Sequence, residues 1–510
     1  AGGSGRAASL LLRTAPWSLA LNAWWIVPAL LTLAGSGAES VGAVTEVRAW
    51  AWTHARASVA NILALNASWS WSYPEFAPFA AGLDRWWWGW LRFVPAVASL
   101  SAPLLARGPS RQRSLVLLSA ALVLVVVAKG LHPPLADLNL WAYDHLPGAW
   151  LLREPATKAM APLVLLYSTL IAVTAAGLLE RAGRRGDRRW APTAAALAGA
   201  AAVVAYPYPV WNGGVLPESQ AAGPSHHVRL PEGWKSVAAY LNARPARGKA
   251  LVLPLADYYQ VPTNWGYYGT DLVPSLLLRR PTIQPLPESY LLPDRRFLDL
   301  VHGVEDALAE GRTGRVPAML RALGVSHVVV RHDLDRSAEG RTLADPVAIV
   351  GSLRRLESLR AGPTFGVADV FEVVGDSAEQ VQLRDGGGDA SLQWEAASPS
   401  RYSVAVSRAA GPFLVVLAET HDPGWKAVGL PDGATASHRK VDGYANGWLV
   451  DGTGDLRFTL EYAPDRVARL GRVLSLLAPV ALVTVSAGSV ARRRSLRLPQ
   501  DGADRRPVER

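Results

Sequence analysis

The chain has 510 residues, half of them hydrophobic and only 18% charged, with no cysteine. That is too apolar for an ordinary soluble enzyme, and it excludes a disulfide framework or a cysteine-based metal site. The formal net charge of +10 would suit nucleic acid, but the arginines stand beside the apolar runs, which points to membrane orientation and away from a nucleic-acid partner.

Runs near the ~20 residues needed to cross a bilayer occur at 17–35, 88–106, 114–131, 159–179, 190–207 and 467–489. Arg6 and Arg13 precede the first run, "ARGPSRQR" joins the second to the third, "ERAGRRGDRR" joins the fourth to the fifth, and "ARRRSLR" follows the last. With those four segments in the cytoplasm, the positive-inside rule is obeyed at every crossing. The expected fold class is a polytopic α-helical membrane protein with an extracytoplasmic α/β module followed by a β-sandwich module. Its parts are a transmembrane region at 1–209 with an amphipathic outer loop at 36–87 and a charged outer loop at 132–158, an α/β domain at 210–376 and a sandwich at 377–466. A final span at 467–490 and a basic cytoplasmic tail at 491–510 complete it. The chain starts at Ala1 without a methionine, which reads as a fragment or a processed product. The first run is too long for a signal peptide and has no small-residue cleavage site at its end.

The first outer loop carries "VRAWAWTHARASVANILALNASWSWSYPEF", with apolar residues at helical spacing and frequent Trp. It suits an amphipathic helix at the membrane interface, or equally one packed on the large outer domain. Further on, "WKSVAAYLNARPA" precedes "KALVLPLA", and "VPAMLRALG" precedes "VSHVVVRHDL". This alternation predicts a small α/β domain with a mainly parallel sheet. Short alternating strands follow, in "YSVAVSR", "PFLVVLAET", "GWLVDG" and "LRFTLEYAP", and predict a β-sandwich, with "RDGGGDAS" as a linker or hairpin tip.

On this topology "LLREPATK" lies at the outer face, where Pro155 favours a helix start. Arg153 can fork onto phosphate oxygens and Lys158 can add a point charge, so together they can hold a lipid phosphate at headgroup depth. Glu154 can orient Arg153 or act as acid or base; the alternative is that all three merely anchor the helix end. The same loop holds Asp137, Asp144 and His145. A carboxylate there can take the proton of an acceptor hydroxyl. Asp with His also leaves a divalent metal open, although no ligand spacing is diagnostic, and such residues more often cap a reentrant loop. Asp84 and Arg85 occupy a similar interfacial position with no other charge near them in sequence.

In the soluble part Tyr258, Tyr259, Trp265 and Tyr267 stand beside Asp257, Asn264 and Asp271. Aromatic faces with flanking carboxylates and amides suit sugar rings, and suit a Tyr-rich interface equally well. No phosphate-cradling glycine loop and no G-x-S-x-G elbow is present, so a nucleotide-binding or serine-hydrolase function has no support.

"NAWWIVPALL", the Trp-rich loop, "LLREPATK", "LRALGVSHVVVRHD" and the closing "ETHDPGWKA", "VDGYANGWLV" and "LRFTLEYAPDR" before a final apolar run together resemble bacterial membrane glycosyltransferases of the GT-C kind. The nearest resemblance is to the actinobacterial α-(1→3)-arabinofuranosyltransferase family. YfhO-like membrane proteins, which share "PGWKA", come second. The resemblance implies transfer of a sugar from a polyprenyl-phosphate donor, without a nucleotide sugar, to a cell-envelope glycan acceptor at the outer face, with membrane lipid as the surroundings. It also implies a catalytic carboxylate in the first outer loop near the N-terminus. No residue here matches that position, so the chain is expected to be a fragment of a longer enzyme or a shortened relative. The expected roles are therefore Asp144 and Glu154 in catalysis, Arg153 and Lys158 on the donor phosphate, and Tyr258, Tyr259, Trp265, Tyr267 and Asp271 on the acceptor, with no metal ligand assigned. The rival class is a non-catalytic membrane protein that binds glycan, assists assembly or transports lipid-linked sugar.

Overall fold

The computed structural model describes residues 2–34, 47–72, 86–146, 149–183, 228–256, 258, 261–284, 294–338, 342–375, 379–385 and 389–495, with short pieces at 193–194, 197, 199, 201, 204 and 208–211. Most of the run at 190–207, the tip at 386–388, Asp84 and Arg85, and Asp257 and Tyr259 lie outside the described residues.

The membrane region contains α1 (Gly2–Ala34), α2 (Val94–Leu105), α3 (Gly108–Ala128), α4 (Ala136–His145) and α5 (Pro155–Gly183), and the last helix of the chain is Pro464–Ser495. Among the described residues, Gly108–Ala128, Pro155–Arg181 and Pro464–Gly488 are long and apolar enough to cross a membrane, so the chain is a membrane protein. The second expected span is not one helix. It breaks at Arg92 and Phe93, between Trp86–Leu91 and α2, because Pro95 in the first turn of α2 has no N–H to continue a preceding helix.

Two helix groups form, both on small residues. Ala121, Ala128, Ala156 and Ala159 carry the contact of α3 with α5, while a Cβ at Gly177 of α5 would lie 2.9 Å from Leu105 of α2. Helix α1 packs along the last helix, where a Cβ at Gly471 would sit 2.6 Å from the Ala23 carbonyl. Ser475 accepts from the Trp24 N–H and donates to the Ala20 carbonyl, each at 2.9 Å. The first helix is thus held by the last, across the whole sequence.

The part between the membrane helices begins with α6 (Glu232–Asn242) and a mixed sheet ordered β4-β1-β5-β7-β6, from β1 (Lys249–Leu253), β4 (Thr282–Ile283), β5 (Val325–Arg331), β6 (Leu359–Thr364) and β7 (Ala368–Val373). Strands β4, β1 and β5 are parallel. The sheet is less parallel than its sequence predicts, since β6 and β7 form a hairpin that returns through Gly366 at φ +76° and adds antiparallel. Helices α7 (Arg295–Ala309), α8 (Val316–Leu323) and α9 (Pro346–Leu353) cover it. A short hairpin, β2 (Val261–Pro262) with β3 (Tyr268–Gly269), leaves β1 and lies over the carboxyl end of β5, where Thr263 bridges Leu334.

The sandwich pairs a sheet ordered β13-β14-β11-β8 with one ordered β12-β15-β10-β9. Its strands are β8 (Val381–Arg384), β9 (Ser391–Ser398), β10 (Arg401–Ala409), β11 (Phe413–Thr420), β12 (Trp425–Val428), β13 (Thr435–Val441), β14 (Ala445–Asp451) and β15 (Gly454–Tyr462). Alternation decides its faces: Tyr402, Val404 and Val406 point inward to Phe413, Val415, Trp448 and Phe458. Each such side chain contributes roughly 1.5–3 kcal/mol by burial. Both modules share a core, because Val416 and Tyr444 join Leu251, Leu320 and Val325, and the Tyr444 hydroxyl donates to the Ala322 carbonyl at 2.8 Å. Only Ala463 separates β15 from the last helix, α10 (Pro464–Ser495). The Ala463 N–H donates to the Gly424 carbonyl at 2.9 Å and Ser400 to Asp465 at 2.9 Å. The α/β and sandwich unit is therefore fixed to a membrane helix without a flexible linker.

Candidate functional site

Helix α5 starts at Pro155, whose missing N–H costs nothing in a first turn. Arg153, two residues before it, is pinned by the turn Val47–His54. His54 Nε2 donates to the Arg153 carbonyl at 2.8 Å, and its Nδ1 accepts from the Leu131 N–H at 3.2 Å. An N–H facing Nδ1 requires a lone pair there, so the ring is the neutral tautomer with its proton on Nε2. Burial pushes the His54 imidazole below its ordinary range, and nearby His132 adds to that against the opposing bond to Arg153. Gly130 makes the close approach possible. At φ +54° its absent Cβ would lie 2.4 Å from His54 Nδ1 and 2.8 Å from Pro155 Cγ.

The rest of the charged loop is tied down in the same way. Asn139 donates to the Val126 and Gly130 carbonyls, both at 2.7 Å, which caps the end of α3. Tyr143 donates to the Leu152 carbonyl at 3.1 Å, placing α4 beside the start of α5. Lys129 is only 1% exposed and donates to the His132 carbonyl at 2.8 Å.

On this frame the Arg153 guanidinium lies over the Trp50 ring, 4.4 Å from its centroid. It is Trp50, not Glu154, that orients Arg153: among the described residues Glu154 makes no ion pair or side-chain hydrogen bond. Lys158 is exposed on the first turn of α5 and, among the described residues, is likewise unpaired. Asp144 and Asp137 are exposed on α4. His145 is folded back on its own helix, its Nδ1 2.9 Å from the Trp141 carbonyl and its ring stacked on Trp141. No cluster of three or more His, Asp or Glu fit to hold a metal occurs among the described residues. Sequence spacing missed Trp50, His54 and Asn139. The signal available was His54 itself, the single histidine between 36 and 87, set among tryptophans.

The second group of expected residues lies at the carboxyl end of the parallel strands. Trp265 donates to Asp333 at 2.9 Å and its ring stacks on Tyr267 at 5.5 Å. Tyr258 accepts from the Thr342 N–H at 2.9 Å. Asp271 is withdrawn from this surface: its side chain is 10% exposed and its carboxylate is taken by Arg331. Arg331 is buried between Asp271 and Asp333, and Trp234 adds a bond to Asp333 at 2.8 Å. Burial raises both carboxyls, but the charge and bonds of Arg331, with those of the two indoles, hold Asp333 below its usual range, whereas Asp271 ends above it. A cavity of about 180 Å³ opens beside them, lined by Pro254, His332, Leu334, Arg336 and Val347. It lies where β1 is flanked by its two parallel neighbours, the place where open α/β sheets hold ligands.

The family described as "Alpha-(1->3)-arabinofuranosyltransferase, N-terminal GT-C domain" matches residues 3–385. The solved structures that match include a single-particle cryo-EM structure of the arabinofuranosyltransferase AftD from Mycobacteria, with 19% identity and a TM-score of 0.35, covering 72% of this chain and 24% of that one. A structure of a variant of the same protein matches with 19% identity and a TM-score of 0.37, over 71% of this chain and 25% of that one. A further structure of the variant matches with 13% identity and a TM-score of 0.35, over 86% and 43%. The chain spans about a quarter of the length of the first of these structures. A search of the curated proteins finds no match.

Proposed function

The chain belongs to the alpha-(1->3)-arabinofuranosyltransferase family by its N-terminal GT-C domain, and from that premise we propose that it serves transfer of an arabinofuranosyl residue from a polyprenyl-phosphate donor to a cell-envelope glycan. The observation that carries this reading is the charged corner at the start of α5, where Arg153 lies over the Trp50 ring and Lys158 stands exposed one turn on. There the donor's phosphate sits at headgroup depth with its prenyl chain along the apolar face of α5. The acceptor oxygen bonds to the anomeric carbon as the bond from that carbon to phosphate oxygen breaks. Polyprenyl phosphate leaves with the electron pair, and its new charge falls on Arg153, Lys158 and the helix N-terminus. Asp144 or Glu154 takes the acceptor's proton. Further out, Tyr258, Trp265 and Tyr267 with the neighbouring cavity receive the glycan chain, Tyr259 belonging to the same segment.

The test is transfer by the full chain from a polyprenyl-phosphate arabinose to an arabinan oligosaccharide. Asp144→Asn or Glu154→Gln is expected to lower turnover about 10²- to 10⁴-fold while donor binding persists. Donor binding by the wild type with no transfer at all would favour the non-catalytic reading instead.

The same proposal sets the outer unit outside the cytoplasm. The chain has no cysteine, so single substitutions report cleanly. Ser437→Cys on β13 should label in intact cells with an impermeant maleimide, and Ser110→Cys in the first turn of α3 only after lysis, both residues being exposed. The reverse pattern would overturn the orientation.

A further inference from the structure

Resting on the donor-phosphate reading of the α5 corner, we propose that His54 is its positioning residue, a neutral latch that sets Arg153 for the phosphate and lets go when it takes up a proton. Three elements far apart in sequence meet at this ring: its own turn, the end of α3 at Leu131, and the entry to α5 at Arg153. The ring is 2% exposed. Its two nitrogens are used in opposite senses, one donating and one accepting, which only the neutral form can do. Trp50, on the same turn, carries the Arg153 head group while His54 carries its backbone. A single turn of the outer loop thus fixes both ends of the residue that meets the phosphate.

Burial and the nearby His132 disfavour a second proton, and together they outweigh the bond to the Arg153 carbonyl, which favours it. Lys129 and His132 stand at the end of α3 and Arg153 at the start of α5, and among the described residues no carboxylate pairs with His54. Protonation would turn Nδ1 into a donor against the Leu131 N–H and place a third cation beside Lys129 and Arg153. The neutral ring's contribution is therefore present above the unfolded imidazole value near 6.5 and is lost as pH falls through the lower folded value.

The experiment measures affinity of the full chain in detergent for polyprenyl phosphate, with the uncharged polyprenol as control, between pH 8 and pH 5. His54→Gln can still donate to the Arg153 carbonyl; His54→Asn reaches only the Leu131 N–H. At pH 8 the Gln variant is expected to bind within about threefold of wild type and the Asn variant about tenfold more weakly, the value of one buried bond, with polyprenol binding unchanged in both. The second ionisation of the phosphate, near 6, is common to all three chains, so the difference between profiles isolates the ring: the wild type should lose more affinity toward pH 5 than the Gln variant. An Asn variant that binds like wild type, or a Gln variant with the wild-type profile, would overturn the latch. A wild type that binds polyprenol as tightly as polyprenyl phosphate would instead overturn the donor-phosphate reading beneath it.

Discussion

Replacing Arg153 with alanine is expected to cut transfer about 10- to 100-fold, the scale of one lost hydrogen-bonded charge at 1.5–3 kcal/mol. The loss should fall mainly on donor affinity, because the guanidinium meets the phosphate in the ground state as well as in the transition state. Folding should be spared: Arg153 holds the corner through its carbonyl, which alanine retains, while its head group rests on the face of Trp50. Lysine should restore only part of the affinity, since a point charge cannot reproduce a planar fork stacked on an indole. Wild-type turnover in Arg153→Ala would mean that the corner is a helix anchor and that phosphate is held elsewhere.

The second large effect is on stability. Arg331→Met leaves Asp271 and Asp333 buried with no cation between them, a class of change that costs about 3–5 kcal/mol. The sign of its pH dependence is diagnostic. In the wild type Asp333 is held below its usual range, so its contribution is present above the unfolded carboxylate value and is lost as pH falls. In the variant the unpaired carboxyls rise above that value, so part of the lost stability should return on acidification, and Arg331→Met with Asp333→Asn should be more stable than Arg331→Met alone. Denaturant unfolding of the full chain at two pH values checks both statements. A variant equally destabilised at every pH would show that the cluster is not electrostatic.

The fold class was legible because its signals are local. Apolar runs at 114–131, 159–179 and 467–489 matched helices through nothing more than length and hydropathy, and period-2 alternation in β10 and β15 placed their core faces. The run at 88–106 misled because hydropathy does not register the helix break that Pro95 introduces. What spacing could not supply was pairing across distance. Arg331 stands 60 residues beyond Asp271, and His54 lies 99 before Arg153. Asp271 therefore looked like a sugar ligand when it is an ion-pair partner, and Glu154 looked like the orienting group when Trp50 has that place. The cations themselves were visible, since an Arg and a Lys against an apolar run are costly wherever the chain folds.

The central claim is that the start of α5 holds a polyprenyl phosphate, and the most direct measurement is binding of polyprenyl phosphate against polyprenol by the wild type and Arg153→Ala. The account predicts a clear preference of the wild type for the phosphate, at least tenfold removed by the substitution, with polyprenol affinity the same in both chains. Equal affinity of the wild type for the two lipids, or a phosphate preference that survives in Arg153→Ala, would contradict it.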